Sequence, residues 1–370
     1  MKYRLVDLIQ PLTEESQLRV NVTQQRDVPF DGVIKEVMCK SFCALKNARV
    51  GDVPIAPEDC TKCYSHEILE GELVSDAGSR YPIAKGIPRL LPGDISGFLE
   101  KNKATFSLEW KMFKFGERNW GQDIEFRKNL FLRGMGVTPK ELKGMLIFDA
   151  GCGSGLLSME MAKSFGMEVI ALDLAEGIEN AYQKNENPFL YFIQGSVLSP
   201  PVKDKVCDFI YCAGVLIALP DTKEGFKSLP RCLKPGGRYF IWYYHPIDRD
   251  HHPKDLYKMR FYNWLRSRIT SRLPIRLQYG IYLIMIIPFI IKRNISNLFR
   301  KTKDDRTWRE KMQGFIDMFS PVYQNRHSED EALSWFKEEG FVNSTIAYQE
   351  HYGFGARGDA PMKDPMSNCR

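Results

Sequence analysis

The stretch LIFDAGCGSGLL, residues 146–157, constrains the fold of this chain more than any other. An apolar run interrupted only by Asp149 reads as a buried strand, and LLSMEMAKSFG after it reads as an amphipathic helix closed by a glycine. Gly151, Gly153 and Gly155 stand between the two, where a backbone without Cβ atoms can approach a ligand closely. Amides at the start of the following helix then face an anionic group. MEVIALDL supplies a second strand. Its last acid, Asp173, lies twenty residues after Gly153, where a carboxylate can accept hydrogen bonds from both hydroxyls of a ribose. A dinucleotide site also has such a loop, but its fingerprint wants glycine where Leu156 stands.

The alternation continues through FLYFIQGSV, CDFIYCAGVL and RYFIWYYH, with helical or turn segments between them. A last helix, DEALSWFKEEG, and two terminal strands close the chain. This order predicts an α/β fold built on a doubly wound, mostly parallel sheet. At 370 residues, 44% of them hydrophobic and 26% charged, the chain has room for a second domain and a sizeable core.

Four segments in order, LIFDAGCGSG, VIALDLAEGIENA, VCDFIYCAGVLIALPD and LKPGGRYFIW, resemble the motifs of class I S-adenosylmethionine-dependent methyltransferases. The resemblance implies a Rossmann-like methyltransferase sheet with S-adenosylmethionine as cofactor. It places Asp149, Ala150, Gly151, Gly153 and Gly155 around the methionine end and Asp173 on the ribose. Leu174, Ser196 and Val197 would flank the adenine, with Ala213 also beside the cofactor. Two departures stand out. Ser196 occupies the position of the family's adenine-binding Asp, and Ile217-Ala218 replaces a histidine pair found in many relatives.

Upstream, CKSFC and CTKC place Cys39, Cys43, Cys60 and Cys63 on two knuckles, a spacing that suits a closed tetrahedral zinc site. With SRYPIAKGIPRLLP after them, they resemble the small zinc-ribbon activator of RNA and protein methyltransferases, which also occurs fused ahead of bacterial methyltransferases. Four thiolates leave no open coordination position, so such a metal is structural. The same resemblance raises RNA or protein as an alternative acceptor. Against it, YCAGVLIALPD lacks the Asn/Asp-Pro-Pro-Tyr motif of N-methylating relatives.

The charge is unevenly placed. The net charge is +6, yet residues 256–303 hold eleven Lys and Arg and no Asp or Glu, leaving the rest slightly acidic. Within this segment lies the apolar stretch GIYLIMIIPFIIKR; fifteen residues separate Arg276 from Lys292, with Pro288 among them. As a helix it would be about 22 Å long, short of a hydrocarbon core of about 30 Å, and the proline predicts a kink. Basic and aromatic flanks, including Arg266, Arg268, Arg272, Arg300 and Lys301, suit an interfacial helix on an anionic membrane. An apolar centre suits nucleic acid poorly.

Methyl transfer to oxygen or nitrogen can use a base near the acceptor. His245, at the end of RYFIWYYHP, His252 and His327 are the candidates, and Arg357 is a candidate anion ligand. The expected organisation is a zinc ribbon over 1–95, a helical lid over 96–142, and a methyltransferase domain over 143–246 and 305–370. A basic, apolar insertion would occupy 247–304. MKYRLVDLIQPL lacks the apolar core of a signal peptide, and nine cysteines with no pairing pattern suit a reducing compartment. The chain thus reads as a cytoplasmic enzyme, peripheral on the inner face of the membrane. Its acceptor would be amphiphilic or lipid-linked; a soluble sugar or natural-product intermediate is the alternative.

Overall fold

The computed structural model describes residues 1–14, 16–93, 97–112, 118, 121–299 and 307–362. It opens with a helical turn, α1 (Leu5–Leu8), and a long strand, β1 (Leu18–Asp27). The small hairpin β2 (Phe42–Cys43) and β3 (Ala48–Arg49) precedes helix α2 (Pro57–Ser65). Three antiparallel strands follow, β4 (His66–Ser75), β5 (Arg80–Ala84) and β6 (Ile87–Leu90). Helices α3 (Gly97–Met112), α4 (Ile124–Met135) and α5 (Pro139–Leu142) lead into the alternating part.

That part runs β7 (Leu146–Ala150), α6 (Leu156–Ser164), β8 (Glu168–Asp173), α7 (Ile178–Lys184) and β9 (Leu190–Gly195). It continues with β10 (Cys207–Ala213), α8 (Thr222–Ser228) and β11 (Leu233–Tyr244). Helices α9 (Leu256–Arg268), α10 (Ile275–Phe299) and α11 (Trp308–Phe319) then interrupt it. Helix α12 (Glu329–Glu338) and strands β12 (Val342–Gln349) and β13 (Gly353–Asp359) finish the chain.

Eleven strands form one sheet in the order β1-β4-β5-β6-β9-β8-β7-β10-β11-β13-β12. From β6 to β11 neighbours are parallel, and β13 lies antiparallel to β11. The parallel strands are apolar on both faces because helices cover both. In β7 and β8, Phe148 and Ile170 face one core while Ile147 and Val169 face the other. Chain order reverses between β7 and β10, which opens the crevice where ligands of such sheets bind.

The cysteine-bearing segment does not stand apart as a separate layer. Its strand β6 pairs with β9 through Arg89↔Gln194 and Leu90↔Gly195, so the main sheet runs on into it and the edge of β9 is covered. Buried ions reinforce the junction. Asp7 accepts backbone N–H bonds from Lys40 (2.8 Å), Ser41 (2.9 Å) and Phe42 (2.8 Å), which shape the first cysteine knuckle. Arg4, beside Asp7, reaches Glu168 at the start of β8 at 3.1 Å.

Helix α10 departs from expectation. It runs 25 residues, continuing past Pro288 beyond the fifteen of the apolar run, for a length of about 37 Å. By length and composition it could cross a membrane. One face, however, is already occupied: Tyr282 and Ile286 pack with Met312, Ile316 and Phe319 of α11. The opposite face exposes Ile284, Ile287, Ile291, Ile295 and Leu298. Arg266 is a correction. It is buried, donating to the Pro321 and Val322 carbonyls at 3.1 Å each, and is no part of the basic surface. Arg300, Lys301 and parts of the 96–142 segment lie outside the described residues.

Candidate active site

The glycine loop takes the geometry that its sequence demands. Gly151 and Gly153 have φ of +93° and +58°, where an L side chain is strained. A Cβ on Gly151 would stand 2.2 Å from Val215 Cγ2, just past β10, so the two sides of the crevice meet there. A Cβ on Gly153 would stand 2.5 Å from Trp110 Cζ2. Trp110 sits near the end of α3 and also abuts Gly177, so α3 lies over the loop. Ser107 accepts from the Glu176 amide at 3.1 Å, and Asn102 donates to the Ala218 carbonyl at 2.8 Å; both hold α3 in place.

Two carboxylates line the loop. Asp173 accepts from the Gly153 and Ala175 amides, both at 2.8 Å, while burial raises its pKa. Asp149 accepts from Ser158 Oγ at 2.5 Å, and burial pushes it up to about 6, with Arg127 nearby opposing the shift. Desolvated carboxylates of this kind favour a cationic ligand, such as a sulfonium bearing an ammonium group. Ala150 is buried, and the Leu174 carbonyl accepts from Gln194 at 3.0 Å. Ser196 and Val197 are buried at the end of β9, with Ser196 Oγ accepting from the Leu198 amide at 3.2 Å. Ala213 ends β10. The sequence-predicted cofactor residues therefore lie along the carboxyl ends of β7, β8, β9 and β10.

A second polar cluster begins under α3 and was not foreseen from the sequence. Glu109 is 1% exposed, and burial together with Asp317 raises its pKa well above the carboxylate range. Gln313 lies beside it, and Asp173 is close enough to contribute to the shift. Asp317 is pushed up to about 6 by burial. It accepts from the Tyr244 hydroxyl at 3.2 Å, at the end of β11. The Arg326 guanidinium lies 5.0 Å from the centre of the Tyr244 ring. Gln313 and Asp317 are four residues apart on α11, so they share a face. Met312, Ile316 and Phe319 turn another face to α10.

The histidines divide. His245 points away from Tyr244, as alternation along a strand requires, and its ring stacks on His251 at 4.4 Å between centroids. His252 is fully buried with neither ring nitrogen hydrogen-bonded. His327 is held apart: Nδ1 meets Glu331 and Nε2 meets Thr222 Oγ1, each at 3.0 Å, which leaves it no nitrogen for a substrate proton. Arg357 donates to the Arg133 and Gly134 carbonyls at 3.1 Å each, a packing role rather than an anion site. The four cysteines are all buried. Cys43 lies within thiol hydrogen-bonding reach of Cys39 and Cys63, and Cys60 Sγ accepts from the Met38 amide at 3.4 Å.

A glycine loop thus lies at the switch point of a doubly wound sheet, with an acid ending the next strand, as the resemblance to class I methyltransferases leads one to expect. Residues 148–241 match the family model described as a methyltransferase domain. Among curated proteins, the demethylmenaquinone methyltransferase of Lactococcus lactis is 26% identical over 238 residues, covering 62% of this chain and 79% of that protein. A ubiquinone biosynthesis O-methyltransferase of Xanthomonas oryzae is 32% identical over 110 residues, covering 27% and 44%. A sterol 24-C-methyltransferase of Schizosaccharomyces pombe is 23% identical over 170 residues, covering 40% and 43%. The chain thus spans less than half the length of the last two. With the matched domain, these findings define the chain as an S-adenosylmethionine-dependent methyltransferase.

Proposed function

We propose that this enzyme transfers the methyl group of S-adenosylmethionine to an amphiphilic or lipid-linked acceptor at an anionic membrane surface, from the cytoplasmic side. The observation that carries the reading is the position of α11. One of its faces contributes Gln313 and Asp317 to the acid pair, and another supports α10, whose outer face is apolar and exposed. Exposed Arg268, Arg272, Arg276 and Lys292 flank that face. A helix packed on one side and apolar on the other, with cations at its ends, lies in the interface rather than across it. The relatives named for demethylmenaquinone, ubiquinone biosynthesis and a sterol support a hydrophobic acceptor.

The chemistry is an in-line displacement in which holding the acceptor against the methyl group supplies much of the acceleration. Asp149, the glycine loop and Asp173 hold the cofactor. Asp317, beside Glu109, takes the acceptor proton, and Tyr244 orients it. Cys39, Cys43, Cys60 and Cys63 hold a structural zinc, the donor set being four buried thiols on two knuckles. Loss of one zinc equivalent from Cys43→Ser, read by metal analysis, supports that assignment, and an unchanged content overturns it.

Ile284, Ile287 and Ile291 are more than half exposed, so replacing all three with glutamate leaves the packed face intact. Each isoleucine withdrawn from water contributes about 1.5–3 kcal/mol. The triple variant is therefore expected to lose sedimentation with anionic vesicles at low salt by at least about tenfold, with an unchanged circular dichroism spectrum. Equal sedimentation of variant and wild type, or none for either, would sink the membrane reading.

A further inference from the structure

Beyond the methyl-transfer site, one side-chain cluster has the chemistry of a metal centre. His245, His251 and Glu329 each offer one ligand atom, and the three atoms all lie within 4.8 Å of one another. Glu329 Oε1 is 3.7 Å from His245 Nδ1 and 3.9 Å from His251 Nε2. Nitrogen and oxygen ligands about 2.0–2.1 Å from a tetrahedral zinc stand about 3.3 Å apart, so shifts of about 0.5 Å bring the two Glu329 pairs to that spacing.

Each of the three is also held from behind, as metal ligands are. The His245 ring bonds to the Glu350 backbone, while Nδ1, in a residue only 3% exposed, has no hydrogen-bond partner. His251 Nδ1 lies 2.7 Å from Asp248 Oδ1; a proton held there turns the Nε2 lone pair toward Glu329 and His245. Glu329 Oε1 accepts from Gln349 Nε2 at 3.0 Å, which fixes the carboxylate. The three come from different places in the chain: the residue after β11, the loop before α9 and the first turn of α12.

We propose that His245, His251 and Glu329 bind a divalent ion of the zinc class, at a site separate from the cysteines. The ion pins the base of the apolar α9–α10 segment to the end of the catalytic sheet. Three protein ligands leave a fourth position for water.

The test uses the full chain, stripped by chelation, refilled with Co2+ and freed of excess metal. Wild type is expected to retain one equivalent more than His251→Ala. That equivalent absorbs as a nitrogen- and oxygen-ligated ion, without thiolate-to-metal charge transfer. Glu329→Gln, at a partly exposed side chain, should lose the same equivalent and serves where a histidine variant fails to fold. Asp248→Asn should weaken Co2+ binding about 10–100-fold. The charge-transfer band of the cysteine site should persist in all three, which separates this site from that one. Equal cobalt content and identical spectra in wild type, His251→Ala and Glu329→Gln would overturn the proposal.

Discussion

Asp173→Ala is expected to raise the dissociation constant for S-adenosylmethionine about 100-fold, a loss of about 2.7 kcal/mol. The carboxylate does two things at once. It accepts from the Gly153 and Ala175 amides, fixing the glycine loop against the end of β8. In the proposed cofactor site it would also accept from ribose hydroxyls, and a site built to hydrogen-bond a hydroxyl loses heavily when its partner is removed. Calorimetric titration with the cofactor checks this. An unchanged dissociation constant in a folded variant would refute the site assignment.

Asp317→Asn is expected to lower kcat about 100-fold or more while leaving cofactor affinity within about twofold, since general-base contributions run to 10²–10⁴-fold. The wild-type rate should rise with pH through about 6, the value to which burial pushes Asp317, because the base works only when ionised. The variant should lack that limb. Stability moves the other way. A carboxyl whose folded pKa is raised contributes stability below its unfolded value near 3.8, and that contribution is lost as pH rises through about 6. Asp317→Asn should therefore be more heat-stable than wild type at pH 8 and less active. Equal pH–rate profiles, or a variant destabilised at pH 8, would contradict the assignment.

The grouping of the glycine loop with Asp173 is legible in the sequence because its determinants are local. The loop's glycines sit within five residues, and Asp173 ends the next strand, so spacing alone brings them together. The cysteine knuckles were legible for the same reason. Glu109 and Asp317 were not. Within FSLEWKMFKF a glutamate reads as the solvent face of an amphipathic helix, and only the packing of α3 on α11, some two hundred residues later, buries it. The one available signal was the pairing of Gln313 with Asp317 at helical spacing inside an otherwise apolar stretch. Arg266 was misread for the opposite reason: it belongs to a basic run, but its own face of α9 turns inward. Pro288 suggests a kink, and the helix continues through it on both sides.

His245 shows the limit in a third way. Its place at a strand end marked it for chemistry, and alternation then turned it away from Tyr244 toward His251 and Glu329. The residue beside it, Tyr244, reaches the carboxylate pair.

The most direct test of the central claim is incubation of the enzyme with methyl-labelled S-adenosylmethionine and three pools: a membrane lipid extract on anionic vesicles, soluble metabolites, and RNA with protein. Label is expected in the organic phase of the lipid pool, lost in Asp317→Asn and reduced when Ile284, Ile287 and Ile291 are replaced with glutamate. Label confined to the soluble or macromolecular pool would contradict it.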